Sequence, residues 1–368
     1  MRNRKLTLLL AMLVLAIFAV GAVSAEDNVT DIDVPTEDTA IDEVAVDDDS
    51  AGETDEIEET QQTRTITYTQ FNITTSSNFT DINAKIADGT YDGYEFVFDS
   101  TNGTYTNFAM VTGNNNKFTG NGAIINGSTD NLFTVAGSNN IVITGFNMNV
   151  ATGQAALDGA NVFNAEITNN NISGGKDGIN IMQTHDNITI SGNTITGFTR
   201  DGISLVDHRT LNDTEWANRG NSVISNNVIT GISIASTEVG MFFGGNFKGT
   251  ITGNNITDCY YGMQFSGKKL ASNGRLNAVI SYNRIIGSQV GIDMNNPGVD
   301  YLNIHHNTIS TANNTGYVIT NNTNFNKTVN AKIYVRYNTF YGFINRSFLN
   351  QTTVYTPNYG NFTINENQ

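Results

Sequence analysis

Asp207, His208 and Arg209 put an acid, a base and a cation side by side at the opening of the longest insertion in the repeat, 206–221. The same insertion carries Trp216, the single tryptophan of the chain. An aromatic ring beside acid, base and cation suits a sugar, whose C–H face stacks on the ring while its hydroxyls hydrogen-bond. A lyase or epimerase acting on a uronate needs a base near the C5 proton and a cation neutralising the carboxylate. Lys268 and Asp293, in or just beyond strands expected to run alongside, complete a candidate ligand-binding set of Asp207, His208, Trp216, Lys268 and Asp293. The alternative for the insertion is a solvated loop with its tryptophan packed on the flank of the body. No residue is assigned a catalytic role.

Other groups could in principle hold a metal. His305 and His306 are adjacent, and adjacent strand residues face opposite ways, so the two are not expected to share an ion. Asp177 and Asp201 each precede a glycine and could hold Ca²⁺ if stacked; turn formation is the simpler account, because the G-G-x-G-x-D calcium repeat is missing. Cys259 is the only cysteine, which excludes an intrachain disulfide and suits a small buried apolar residue.

The elements that must position these groups are written in a repeat. One phrase (apolar, two small or polar residues, Asn, any residue, apolar) recurs with its Asn at 170, 193, 227, 254, 283, 307 and 338, with degenerate copies at Phe118–Asn121 and Ile143–Met148. A minimum spacing near 23–25 residues with longer insertions describes a solenoid whose extra residues form loops. Within each copy β-branched residues alternate, so the segments are strands. A second phrase, as in Asp177-Gly-Ile-Asn-Ile181 and Asp201-Gly-Ile-Ser-Leu205, reads as a glycine turn entering a strand. Short strands joined by tight bends predict an all-β, single-stranded right-handed parallel β-helix. Ile172, Ile195, Ile229, Ile256, Ile285 and Ile309 should form one buried stack. The repeated Asn should take the left-handed conformation of the bend and form an amide ladder with its copies. Outward positions between the inward ones should form a row: Asn180, Ser204, Phe242, Gln264 and Asp293.

The flanks differ from the repeat. Arg2, Arg4 and Lys5 precede an apolar run from Leu6 to Val20, and Val23-Ser24-Ala25 offers small residues for cleavage, so 1–25 reads as a signal peptide. Segment 26–63 holds 16 acidic residues and no Lys or Arg, which reads as a disordered, self-repelling tether. From Arg64 onward the charge is nearly balanced, and no basic stripe invites nucleic acid. Segment 64–117 should hold an N-terminal cap and the first coils, with a short amphipathic helix begun by Thr80 and facing Ile82 and Ile86 inward. The repeats proper run over 118–343, and 344–368, in a Tyr/Phe-rich stretch that departs from the repeat, should cover the other end.

The I-x-x-N-x-I and D-G-I phrases, the leader and the acidic spacer resemble the adhesin-like β-helix proteins of methanogenic archaea, within the pectin-lyase-like superfamily. The resemblance covers about Phe71 to the C-terminus and implies a fold more than an activity. It implies an exported, surface-located module that binds an extracellular glycan or the surface of another cell, with membrane contact only through the N-terminal segment. Uronate lyase or epimerase chemistry on the outer face is the alternative. Glycoside hydrolysis fits least, because the N-T-D, D-D and G-H-G signatures of polygalacturonases do not occur in the repeat region. Fifteen N-x-S/T sequons offer glycosylation sites on an exported chain.

Overall fold

The computed structural model describes residues 66–345 apart from 102, 128, 235–236, 268–273, 296–297 and 322–325, together with strands Val354–Tyr355 and Phe362–Asn365. The expected signal peptide and tether, Lys268, and most of the expected C-terminal cap lie outside the described residues. Among those residues, no helix is long and apolar enough to cross a membrane.

The fold is a right-handed parallel β-helix. Its coils are held in register by side chains that repeat once per turn. Ile172 pairs with Ile195, Ile195 with Ile229, Ile229 with Ile256, Ile256 with Ile285 and Ile285 with Ile309, and all six are fully buried. A second column runs through Ile167, Ile190, Ile224, Ile251, Ile280 and Ile304. Each buried isoleucine contributes roughly 1.5–3 kcal/mol relative to exposure. Alternation along the strands therefore fixes which face looks inward, because a one-residue slip would turn every isoleucine out.

The glycines of the second phrase have a different role from the one their sequence context suggests. Gly178, Gly202, Gly240, Gly262 and Gly291 lie within strands and not in turns. The isoleucine column leaves no space beside them: a Cβ on Gly178 would lie 2.6 Å from Ile195 Cγ2, and one on Gly240 2.6 Å from Ile256 Cγ2. They are small because the core is full.

The repeated Asn also corrects the expectation. Its amide ladder is present, running from Asn170 through Asn193, Asn227, Asn254, Asn283 and Asn307 to Asn338. From Asn193 on, each Oδ1 accepts two bonds from the preceding copy; for Asn254 these come from the Asn227 backbone N–H at 3.0 Å and Nδ2 at 2.9 Å. The left-handed residue, however, is the one before it. Gly145, Asn169, Gly192, Asn226, Gly253, Tyr282, His306 and Tyr337 form a bend column in which every φ lies between 54° and 77°. Gly and Asn adopt that conformation readily, whereas other L-residues lose about 1–2 kcal/mol in it.

The N-terminal end is covered as expected, with its start shifted. The helix spans Phe79–Ala87, and Asn78 is its N-cap in place of Thr80. Ile82 and Ile86 are buried. Asn83 pairs the open sheet edge with its amide, donating to Ala109 O and accepting from Val111 N–H, both at 3.0 Å. The C-terminal stretch does not depart from the repeat where it is described. Tyr334 pairs in parallel with Val354, and Gly342–Asn345 with Phe362–Asn365.

Candidate functional site

The expected outward row exists. Asn180, Ser204, Phe242, Gln264 and Asp293 are register partners in successive coils. They occupy outward positions because Ile179/Ile181, Ile203/Leu205, Met241/Phe243, Met263/Phe265 and Ile292/Met294 flank them on the inward side. A groove of about 290 Å³ lies along this row, at the small end for a ligand site. Val206, Val239, Phe242 and Met182 line it with apolar surface, and Asn180, Ser204, Gln264 and Ser266 line it with hydrogen-bonding groups. Gly244 and Gly245 leave its floor bare; Gly245 has φ +76°, and a Cβ there would collide with the Asp207 carbonyl.

The groove has titratable groups near each end. At one end, Asp177 and Asp201 stack as register partners. Arg200 lies between them, donating to Asp177 at 2.7 and 2.5 Å and pairing with Asp201 at 3.2 Å. The stacking that a Ca²⁺ site required is therefore present, and a guanidinium stands where the cation would. Burial, only partly opposed by Arg200, pushes the Asp201 carboxyl up to about 7, and burial also raises Asp177. At the other end is His208, whose imidazole burial lowers below its ordinary range.

Asp207 adjoins His208 in sequence but is taken out of play. It is fully buried and bound by the guanidinium of Arg209 (2.6 Å) and that of Arg219. Burial pushes its carboxyl up, yet the Arg209 hydrogen bond and the Arg219 charge outweigh it and hold Asp207 below the ordinary value. Arg219 also donates to His185 O at 2.9 Å. Burial and the Arg219 charge press the His185 imidazole down to about 3, so it is neutral. Removing one member of such a buried pair leaves an uncompensated charge, a loss of about 3–5 kcal/mol. The cluster clamps the insertion to the solenoid.

Trp216 belongs to that clamp. It sits in the short helix Asp213–Ala217, started by a capping box between Asn212 and Glu215. It is 6% exposed, with the Arg275 guanidinium 5.0 Å and that of Arg219 5.8 Å from its ring. It packs on the flank, as the plainer of the two sequence readings had it, and offers no open face to a sugar. Asp293 is 3% exposed and accepts from Gln264 at 2.7 Å, so it orients Gln264 from one coil beyond the groove. Burial raises its carboxyl, against the Gln264 bond. The structure thus brings together Asp207, His208 and the Trp216 helix on one flank, and leaves Asp293 apart.

Arg200, Met182, Val206 and Gly244–Gly245 were not singled out from sequence as site residues, and Asp201 was noted only for calcium. Arg200 carried a faint signal, standing next to Asp201 one repeat after Asp177. Arg219 carried none, since its pairing depends on how the insertion folds back.

For His305 and His306 it is the reason that changes, since they are not two alternating residues of one strand: His305 ends its strand and His306 is the bend. His306 takes the left-handed conformation (φ 54°), which breaks strand alternation, and the two Nδ1 atoms lie 2.8 Å apart. Burial, with His306 and Arg336 beside it, lowers His305 to about 4. Among the described residues, no cluster of three or more His, Cys, Asp or Glu is placed to hold a metal. Cys259 is buried, and burial pushes its thiol up to about 12, as suits an inert core residue.

Residues 104–270 match the family model described as a right handed beta helix region. The curated proteins contain no match to the chain.

Proposed function

We propose that this protein is an exported surface module that holds a neutral glycan in the groove between Asp201 and His208 without turning it over. The carrying observation is the groove itself: an apolar strip led by Phe242, bordered by Asn180, Ser204 and Gln264, on a bare glycine floor. That mixture complements a sugar ring, whose C–H faces are apolar and whose rim is polar. The N-terminal leader expected at 1–25 supports export, and the solenoid supplies a rigid platform for presentation.

Two observations weigh against turnover. Asp201 and His208 bracket the strand Asp201–Asp207, so at about 3.3 Å per residue they stand roughly 20 Å apart. An acid–base pair acting on one glycosidic bond needs its groups within about 5–10 Å. Among the described residues, the one guanidinium lining the groove, that of Arg200, is already bonded to Asp177 and Asp201. Among the described residues around the groove, two carboxylates for one guanidinium leave no free cation for a uronate, which favours a neutral sugar over the lyase substrate.

The test is calorimetry on the whole chain with neutral hexasaccharides and, in parallel, with alginate and pectate. Binding of a neutral oligosaccharide, weakened at least tenfold by Phe242→Ala, is expected. Absence of binding to every neutral probe would end this reading. Release of unsaturated uronate products, abolished by His208→Ala, would replace it with the lyase alternative.

A further inference from the structure

The bend column changes character partway along the solenoid. Up to Gly253 each described position from Gly145 on is Gly or Asn, the residues that adopt the left-handed conformation most easily. The next three coils place Tyr282, His306 and Tyr337 there at φ 55°, 54° and 56°. Nothing about the bend itself asks for a ring, since Asn serves it at 169 and 226. The three rings pack on each other outside the solenoid. Tyr282 and His306 lie 5.0 Å apart at 12° between planes, and His306 and Tyr337 lie 5.3 Å apart at 25°. The His305–His306 contact at 2.8 Å holds the middle ring in line.

The rings are on the surface: Tyr282 is 62% and Tyr337 49% exposed. One face of Tyr282 is covered by His306, while on its other side the neighbouring coil supplies Gly253, which has no side chain to cover it. One coil further, the Asn226 amide reaches toward Gly253, its Oδ1 2.5 Å from where a Cβ would stand. An open aromatic face, one ring wide, is thus framed by an amide and by the phenol hydroxyls and imidazole along the edge of the stack.

We infer that the Tyr282–His306–Tyr337 stack is a second carbohydrate subsite, in which a pyranose seats its C–H face on Tyr282 above Gly253 and turns its hydroxyls to Asn226 and the edge of the stack. The single exposed face with polar groups around it selects a sugar ring over an extended apolar partner. The inference shares with the groove the class of ligand; its residues lie at the bends that close the coils of Ser204, Phe242 and Gln264 and the two coils that follow, and not on the groove-lining strands.

The experiment titrates the full chain with cellohexaose, mannohexaose, chitohexaose and maltohexaose, following the Tyr282 ring resonances by NMR. At least one probe should shift them. Tyr282→Asn, which installs the residue the column uses elsewhere, should weaken that probe at least tenfold with a melting temperature equal to or above wild type. Gly253→Asn, which displaces the Asn226 amide and covers Tyr282 while keeping the rings, should do the same. No shift with any probe, or unchanged affinity in Tyr282→Asn, would overturn the inference. Self-association lost in Tyr282→Asn without any sugar response would also overturn it, making the stack an interface between copies of this chain. Binding that Phe242→Ala abolishes and Tyr282→Asn leaves intact would keep the groove and remove this subsite; the converse would remove the groove alone.

Discussion

Two columns of residues, one position apart in sequence, run along the same edge of this solenoid under opposite constraints. The ladder column is Asn in every coil from Asn170 to Asn338, and all seven members are buried. The bend column beside it changes from Gly and Asn to Tyr and His. The ladder residue must donate and accept along the axis and also bond a backbone carbonyl, as Asn193 Nδ2 does to Ile167 O at 2.8 Å. Only a carboxamide of that length meets all these demands. The bend residue is constrained by its backbone and by the bend side chain of the preceding coil, as Gly253 is by Asn226, and it projects outward, so its side chain varies where the ladder's does not. Uniformity in a repeat therefore marks what holds the coils together, and variation at a conformationally demanding position marks what they present.

The largest effect should come from breaking the ladder. Asn254→Ala strips Asn227 of the acceptor for its N–H and Nδ2 and strips Ile224 O of a donor. At about 1–3 kcal/mol per buried unsatisfied group, a loss of roughly 3 kcal/mol or more is expected. Denaturant unfolding and hydrogen exchange in the flanking coils would measure it. A loss below about 1 kcal/mol would mean that the ladder is incidental to coil stacking.

A second effect separates the uncharged ladder from the charged clamp. His185 is held at about 3, far below its ordinary value near 6.5. The unfolded chain thus binds a proton there that the folded one refuses, and stability present above pH 6.5 is lost as pH falls toward 3. His185→Gln should flatten the stability–pH profile between pH 6 and 4, while ladder variants leave its slope unchanged. An unaltered slope in His185→Gln would show that the imidazole is not the group refusing the proton.

The smallest effect sharpens the contrast from the other side. Asn226→Gly exchanges one bend residue for the type found at 192 and 253, and should change stability by less than about 0.5 kcal/mol. A thermal melt beside Asn254→Ala makes the comparison direct, because the two positions lie in adjacent coils. Equal losses would collapse the distinction between ladder and bend.

Much of the fold was legible because a solenoid repeats its constraints. The isoleucine stack, the amide ladder, the outward row and the N-terminal helix all follow from residue type and spacing. Two local assignments were not. By residue type the left-handed conformation belongs on the ladder Asn, since Asn suits both tasks and the tyrosines before it at 282 and 337 are not bend formers. The glycines of the second phrase look like turns in the sequence, since the isoleucines crowding them, such as Ile195 for Gly178 and Ile229 for Gly202, are distant in the chain and beside them only in space.

The sequence by itself determined the coil: its period, its parallel strands, which side chains look inward, and the buried amide ladder. These are properties of residues compared with their own copies, and a repeat writes that comparison into the chain. Only the tertiary structure decided the site. Asp207 and Arg219 meet because the insertion folds back, and that pairing turns a candidate ligand-binding acid into a buried clamp while Trp216 closes against the flank. Arg200 reaches between Asp177 and Asp201 only when two coils stack. Tyr282 gains an open face only because the neighbouring coil offers Gly253 beside it. Each of these depends on contacts between different positions of different coils, which spacing along the chain does not encode.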